Sequence, residues 1–218
     1  MKKEIRKKFF VAVCFLAAFV LWTVAVCFVD VKAVGPNDSS VGLSAINLLF
    51  HNITGVNMTL YNITDWLGLV PIFFAFGFGL TGLFQWIKRK SIRKVDYSIL
   101  ILGGFYIIVI SVYILFETIV VNYRPVLING YLEASYPSST TLLVMCVMPT
   151  AIMQLNGRIK NSFLRKALAF LIAFFIAFMV IGRLISGVHW LSDIIGGALF
   201  SIGLVLMYYA VSRIKADK

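Results

Sequence analysis

The stretch RIKNSFLRKALAFLIAFFIAFMVIGRLI (residues 158–185) decides the fold. It opens with a cluster of four basic residues, and from Ala167 to Ile185 it contains one charged side chain, Arg183. A run of about 20 apolar residues is long enough to cross a lipid bilayer as a helix. The stretch therefore predicts a membrane-spanning helix with positive charge concentrated at one end.

Apolar runs of this kind recur along the whole chain. The chain has 218 residues, a length that suits one domain, and it is 61% hydrophobic, more than is usual for a soluble domain. The first run follows the basic start MKKEIRKK but is too long for a signal peptide, so we expect a retained anchor. The sequence predicts an all-α integral membrane protein, a single domain over residues 1–218, with six transmembrane helices at about 9–29, 67–87, 97–121, 139–157, 167–185 and 192–212.

The net charge of +11 is distributed as in a membrane protein rather than a nucleic-acid-binding one. Four clusters at alternate ends of the spans hold 17 of the 20 Lys and Arg residues. Because basic residues concentrate in cytoplasmic segments, this pattern places both termini in the cytoplasm. The remaining three cations, Lys32, Arg124 and Arg183, fall on the outer side.

The longest outer segment, about residues 30–66, contains SVGLSAINLLFHNITG, in which apolar residues recur at near-helical spacing. This pattern predicts a short helix on the membrane surface. We interpret His51, at the end of this piece, as a solvated loop histidine. The three cysteines fall inside spans, so we expect no disulfide, and nothing in the sequence has the spacing of a metal site.

Two further outer segments carry polar residues that can do chemistry. With six crossings, Arg124, Ser138 and His189 emerge on the same outer face. If the chain is helical after His189, Asp193 lies one turn further on the same face and can orient the imidazole. Arginines bind phosphate oxygens with planar forks, and the helix start at Ser138 offers N–H groups to an anion. The set predicts a phosphoryl-transfer site. The alternative makes Arg183 an interfacial anchor and Asp193 a helix cap.

The order Arg124-Pro125, Pro137-Ser138 and Arg183-x5-His189-x3-Asp193 on six spans resembles the type 2 phosphatidic acid phosphatase (lipid phosphate phosphatase) superfamily. The resemblance implies that His189 is the nucleophile that forms a phosphohistidine and that Asp193 orients it. It further implies that Arg124 and Arg183 hold the phosphate with help from Ser138, and that no metal or other cofactor is used.

The chain departs from the family pattern of Lys-x6-Arg-Pro, Pro-Ser-Gly-His and Ser-Arg-x5-His-x3-Asp at three places. Glu117 stands where the family has Lys, Ser139-Thr140 where it has Gly-His, and Gly182 where it has Ser. One phosphate-binding cation and the histidine that protonates the leaving group are therefore missing. The hydroxyl of Thr140 is too weak an acid to replace that histidine.

Three interpretations remain open. The substrate could be a lipid diphosphate, whose phosphate leaving group needs little help. A carboxyl, Glu117 or Glu133, could supply the proton, although Glu117 could equally be the counter-ion of an arginine. Hydrolysis could also be lost, leaving a protein that binds or moves a phosphorylated lipid.

We therefore expect a membrane phosphatase that acts on a lipid phosphate or diphosphate at the outer face through a phosphohistidine. The expected partners are the bilayer and a phosphorylated lipid (a polyprenyl or diacylglycerol diphosphate, or phosphatidate), without nucleic acid. We expect it in a plasma membrane, and its size favours a bacterial one. The alternative is a non-hydrolytic lipid-phosphate-binding or transport protein on the same fold.

Overall fold

Long apolar helices make up most of the protein, and a computed structural model describes residues 2–214. In chain order the helices are α1 (Lys2–Phe28), α2 (Ser44–Thr54), α3 (Met58–Leu67), α4 (Leu69–Arg89), α5 (Tyr97–Thr118), α6 (Ser139–Asn156), α7 (Ser162–Ile185) and α8 (Leu191–Ile214). Strands β1 (Lys32–Ala33) and β2 (Ser40–Val41) form a two-residue antiparallel hairpin, with Lys32 opposite Val41.

Within the described range, six helical segments are long and apolar enough to cross a membrane, with α3 and α4 joined into one segment, Met58–Arg89. The predicted all-α fold with six spans is therefore confirmed, and the chain is a multi-pass membrane protein. Within residues 2–214, the basic clusters lie at the end of the bundle opposite to the α7–α8 connection. We name this the basic end and the end with the α7–α8 connection the site end. Lys215 and Lys218, which complete the last cluster, lie outside the described residues. That the basic end faces the cytoplasm stays a prediction from the charge pattern.

Helices α6 and α8 form the centre of the bundle, because more than half of the residues in the apolar stretch of each helix are buried. Helix α1 packs along α8, where a side chain at Gly203 would approach Leu16 to 2.8 Å. Apolar residues of α1, α5, α6 and α8 share one buried cluster that includes Phe19, Phe105, Leu142 and Phe200. The outer helices expose large apolar side chains, as a lipid-facing surface requires.

The segment between α1 and α4 covers the site end of the bundle. The sequence predicted one surface helix here, whereas the structure contains the hairpin and two helices. Gly55, with φ of 62°, ends α2, and the side chain of Asn57 accepts a hydrogen bond from the N–H of Leu60 at the start of α3. Helix α2 also packs on the protein itself, because its Asn47 is fully buried against the start of α8.

Candidate active site

His189 lies in the connection between α7 and α8 and is 3% exposed. The connection is fixed by the turn between α2 and α3: the N–H of Asn57 donates to the carbonyl of Ser186 at 2.9 Å. Gly187 has φ of 67°, and a Cβ there would lie 1.8 Å from the carbonyl oxygen of Gly55. Only glycine fits this contact, so the local backbone determines the position of the histidine.

The imidazole of His189 is oriented through a serine rather than directly by Asp193. Nδ1 of His189 lies 3.0 Å from the hydroxyl of Ser135, and that hydroxyl donates to Oδ2 of Asp193 at 2.5 Å. Nδ1 and Oδ2 themselves are 3.8 Å apart, too far for a hydrogen bond. Since the Ser135 proton is given to the carboxylate, the serine oxygen accepts from Nδ1–H. Nε2 then keeps its lone pair, as a nucleophile requires.

Asp193 is fully buried, and its orientation follows from its neighbours. Oδ2 also accepts the N–H of Trp190 at 2.9 Å, so the carboxylate caps the first turn of α8 as well as serving the site. This shared role turns the carboxylate away from Nδ1, which explains why the direct contact predicted from the sequence does not form. Behind it, Asn47 bonds both the N–H and the hydroxyl of Ser192 at 3.0 and 2.9 Å.

Arg124 is the cation nearest to the unprotonated nitrogen of the histidine. Its Nη1 donates a hydrogen bond to Nε2 of His189 at 3.4 Å, and its backbone N–H donates to the carbonyl of Glu133. Its Nε is 3.1 Å from Oε2 of Glu133, an ion pair whose alignment is too poor for a hydrogen bond. Burial, together with Arg124 and Arg183, lowers the pKa of His189 well below its usual value, so the imidazole is neutral near pH 7.

Arg183 is almost completely buried, and α3 supplies its surroundings. Its Nη2 donates to Oδ1 of Asp65 at 2.9 Å and to the hydroxyl of Thr140 at 2.6 Å. The guanidinium lies 4.8 Å from the ring centre of Tyr61, and that of Arg124 lies 5.8 Å from the same ring. Tyr61 thus brings the two arginines together at one site.

The departure from the family pattern at Gly182 has a steric explanation. A Cβ at this position would lie 2.8 Å from the methyl group of Thr64 on α3. The missing side chain therefore lets α3 pack closely on α7. This contact brings Asp65, the next residue of α3, to Arg183.

Each of the two arginines keeps one buried donor without a hydrogen-bond partner among residues 2–214, namely Nε of Arg124 and Nε of Arg183. Buried polar groups are nearly always hydrogen-bonded, and an unpaired guanidinium donor is costly. An anion with several acceptor oxygens would satisfy both. The two donors, with Nε2 of His189 beside them, fit a phosphoryl group.

The structure places the other predicted site residues around this centre. Ser138 is fully buried; its hydroxyl caps α6 by accepting from the N–H of Thr141, and its own N–H is bonded to the carbonyl of Asp193. The N–H groups of Ser139 and Thr140, in the first turn of α6, have no intrahelical acceptor. Any anion contact at this helix start would come from these two groups.

The carboxyls considered as acids lie in different places. Glu133 pairs with Arg124, on the nucleophile's side of the site. Glu117 is exposed at the end of α5, lines a narrow crevice with Ser135 and Ser139, and forms no ion pair with any residue in the described range. The counter-ion role for Glu117 therefore has no contact to support it.

A cavity of about 500 Å³ opens between α4, α5 and α6, and two of its lining residues, Asp65 and Thr140, accept hydrogen bonds from Arg183. Asp65, Ser139 and Thr140 lie at its polar end. Most of the remaining lining is apolar, including Leu69, Ile72, Val109, Ile110, Leu143 and Val147. A cavity of this composition accommodates a hydrocarbon chain whose polar head lies at Arg183.

Sequence reasoning missed Asp65, Ser135 and Tyr61. Ser135 has no spacing signal, since it lies two residues before the Pro-Ser motif without any family pattern. Asp65 has a weak signal in the sequence, because it is one of nine acidic residues in the chain and lies two positions before the predicted span at 67–87.

The interpretation of His51 as a solvated loop histidine is wrong. His51 lies within α2 and is half-buried, with its ring 5.5 Å from that of Trp190, and burial lowers its pKa. No group of His, Cys, Asp or Glu in residues 2–214 could hold a metal ion.

Residues 99–216, more than half of the chain, match the sequence pattern of the PAP2 superfamily. The chain belongs to the PAP2 superfamily. The matched range contains His189, Asp193 and both arginines of the site, whereas Asp65 and the rest of α3 lie outside it. The PAP2 site of this chain is thus completed by a helix that the family match does not include.

The fold is also similar to a solved PAP2 structure. The crystal structure of the first transmembrane PAP2 type phosphatidylglycerolphosphate phosphatase from Bacillus subtilis aligns with a TM-score of 0.60. The alignment covers 95% of this chain and 97% of that one at 17% sequence identity, so the likeness concerns the fold. No curated protein matches the sequence.

Proposed function

We propose that this PAP2 protein removes phosphate from a membrane lipid through a phosphohistidine at His189. One observation carries the proposal: Nε2 of a neutral, oriented imidazole accepts from Nη1 of Arg124 at 3.4 Å, and Nε of Arg124 and Nε of Arg183 are buried without a hydrogen-bond partner among residues 2–214. Membership in the PAP2 superfamily supports it. The adjacent apolar cavity supports a lipid as the substrate.

The chemistry follows from this arrangement. Nε2 of His189 attacks phosphorus while the guanidinium groups of Arg124 and Arg183 stabilise the charge on the phosphoryl oxygens. Ser135 and Asp193 hold the ring through Nδ1 and stabilise the positive charge that develops on it. Water then attacks the phosphohistidine, releases phosphate and restores the free imidazole.

The proposed reaction takes place at the outer face of the membrane. The support is the charge pattern, with the basic end in the cytoplasm and the site end outside. The proposed location is the plasma membrane of a bacterium. The structural neighbour is a phosphatidylglycerolphosphate phosphatase, so this lipid monophosphate belongs among the substrates to be tested.

The experiment is phosphate release by purified protein in detergent, with phosphatidate, phosphatidylglycerolphosphate and a polyprenyl diphosphate as parallel substrates. We expect release from at least one of them and its loss in His189→Ala. The alternative, a protein that binds or moves phosphorylated lipids, predicts that none is hydrolysed while His189→Ala binds the same lipids as tightly as the unaltered chain. That result would refute the enzyme proposal.

A further inference from the structure

Asp65 is a carboxylate at the site with no assigned role. Its Oδ1 accepts from Nη2 of Arg183 at 2.9 Å, and the same Nη2 donates to the hydroxyl of Thr140 at 2.6 Å. Thr140 occupies the position of the motif histidine that protonates the leaving group in the resembled family. Asp65 and Thr140 therefore both accept from the same nitrogen of Arg183, and the Asp65 carboxylate lies beside the position that the motif histidine occupies in the family.

The exposure of the two partners differs strongly. The Arg183 side chain is 1% exposed, whereas the Asp65 side chain is 56% exposed. An exposed carboxylate can move off a buried guanidinium at small cost when another anion takes its place. A phosphoryl group that binds Arg183 would displace Asp65 and remain next to it.

The cavity determines which atoms of the substrate meet Asp65. Asp65 and Thr140, which both accept from Arg183, line the polar end of the 500 Å³ cavity, whereas Arg183 itself, Arg124 and His189 are not among its lining residues. A lipid whose chain fills this cavity presents its ester oxygen on the cavity side of the phosphorus. In-line displacement requires the attacking Nε2 of His189 to lie on the opposite side of the phosphorus. The bond to the lipid oxygen therefore breaks next to Asp65.

The other carboxyls of the described chain at this end are placed elsewhere. Glu133 pairs with Arg124, and Asp193 is sealed under Ser135 and Trp190. Glu117 lines the adjoining crevice, which shares Ser139 with the cavity, but it does not line the cavity itself. Asp65 is the carboxyl, among residues 2–214, that lines the cavity mouth.

We propose that Asp65 is a catalytic residue that carries the proton to the departing lipid alcohol, in place of the motif histidine absent at Thr140. This inference rests on the proposed phosphatase function. It removes the need for a good leaving group, and so extends the substrates from lipid diphosphates to lipid monophosphates with an ordinary alcohol.

Atoms and charge balance in both half-reactions. The substrate binds as the monoanion R–O–PO₃H⁻, and its proton passes to the Asp65 carboxylate as phosphoryl oxygens replace that carboxylate on Arg183. Nε2 of His189 forms a bond to phosphorus, the P–O bond to the lipid breaks, and the proton moves from Asp65 to the lipid oxygen, which gives R–OH. In the second half, Asp65 accepts a proton from water as the water oxygen attacks phosphorus. The P–N bond then breaks, and the proton leaves with phosphate.

Two substrates of equal chain length test this role: an alkyl phosphate and an alkyl-substituted nitrophenyl phosphate, whose nitrophenolate leaves without a proton. Rapid-quench measurement gives the rate of phosphoenzyme formation on each. For Asp65→Asn we expect a loss of about 10²- to 10⁴-fold on the alkyl phosphate and of less than about fivefold on the nitrophenyl substrate. Asp65→Glu keeps a carboxyl and should recover part of the alkyl phosphate rate.

Asp38→Asn is the matched control, because Asp38 is an exposed carboxylate of the same outer segment away from the site. An equal loss on both substrates in Asp65→Asn would show that Asp65 only positions Arg183 and would overturn the proposal, as would no loss on either. If the unaltered chain forms no phosphoenzyme from either substrate, the phosphatase function itself fails, and this inference fails with it. Thermal unfolding in detergent identifies a variant that has lost its fold. If Asp65→Asn is such a variant, the rates of Asp65→Glu on the alkyl phosphate and the nitrophenyl substrate decide between the two roles.

Discussion

Nδ1 of His189 and Oδ2 of Asp193 lie 3.8 Å apart, and the hydroxyl of Ser135 bonds to both. The serine donates to the carboxylate and accepts from the imidazole, so it passes the orienting effect of Asp193 to the ring. The site therefore depends on a residue two positions before the Pro-Ser motif.

Ser135→Ala should slow phosphoenzyme formation. The substitution leaves Nδ1–H without an acceptor at hydrogen-bonding distance, and a lost hydrogen bond in a buried site costs about 1–3 kcal/mol, which is roughly five- to 150-fold in rate. Rapid-quench kinetics measures the rate, with Ser135→Thr as the control that keeps the hydroxyl. A full rate in Ser135→Ala would show that Asp193 orients the ring without the serine.

The rate of phosphoenzyme formation should fall in acid only at a pH well below the ordinary pKa of histidine; this fall is the acid limb of the pH profile. Neutral His189 is the reactive form, and its pKa is lowered by burial, Arg124 and Arg183. Because the ordinary histidine pKa is about 6.5, phosphoenzyme formation should fall off only below that value. Arg124→Gln removes one of the cations, so its acid limb should move to higher pH whatever the loss of rate. A limb that stays in place in Arg124→Gln would contradict the electrostatic cause.

The α7–α8 connection should tolerate no side chain at Gly187. Gly187→Ala brings a Cβ into the carbonyl of Gly55 at a positive φ, whereas Gly130 has φ of 82° with open space around it. Gly130→Ala therefore carries the backbone strain alone, about 1–3 kcal/mol. Thermal unfolding should show a larger loss for Gly187→Ala than for Gly130→Ala. Equal losses would mean that the close approach to Gly55 does not constrain the site.

Sidedness follows from the charge pattern and can be tested by cysteine labelling. In a chain without Cys14, Cys27 and Cys146, a membrane-impermeant maleimide added to intact cells should label Asp38→Cys at the site end. Asn156→Cys, an exposed position at the basic end, should be labelled only after permeabilisation. The opposite pattern would place the site in the cytoplasm.

Much of the fold could be predicted from hydropathy and charge, because the bilayer imposes length and composition on every span. Site residues were predictable where short motifs carry them, as in Arg124-Pro125, Pro137-Ser138 and the segment from Arg183 to Asp193. Asp65 reaches Arg183 because Gly182 lets α3 pack on α7, and Ser135 reaches His189 because its loop folds under α8. Contacts of this kind depend on tertiary packing between distant residues, which leaves no periodic pattern in the sequence.

The central claim is a covalent phosphoryl group on His189, and the most direct test is to locate that group. The protein is incubated with a ³²P-labelled lipid phosphate, quenched in base, digested and mapped by mass spectrometry. We predict an acid-labile, base-stable phosphoryl group on the peptide that contains His189, absent in His189→Ala and increased in Asp65→Asn supplied with the nitrophenyl substrate. Phosphate release without any phosphorylated His189, or a label on another residue, would contradict this account.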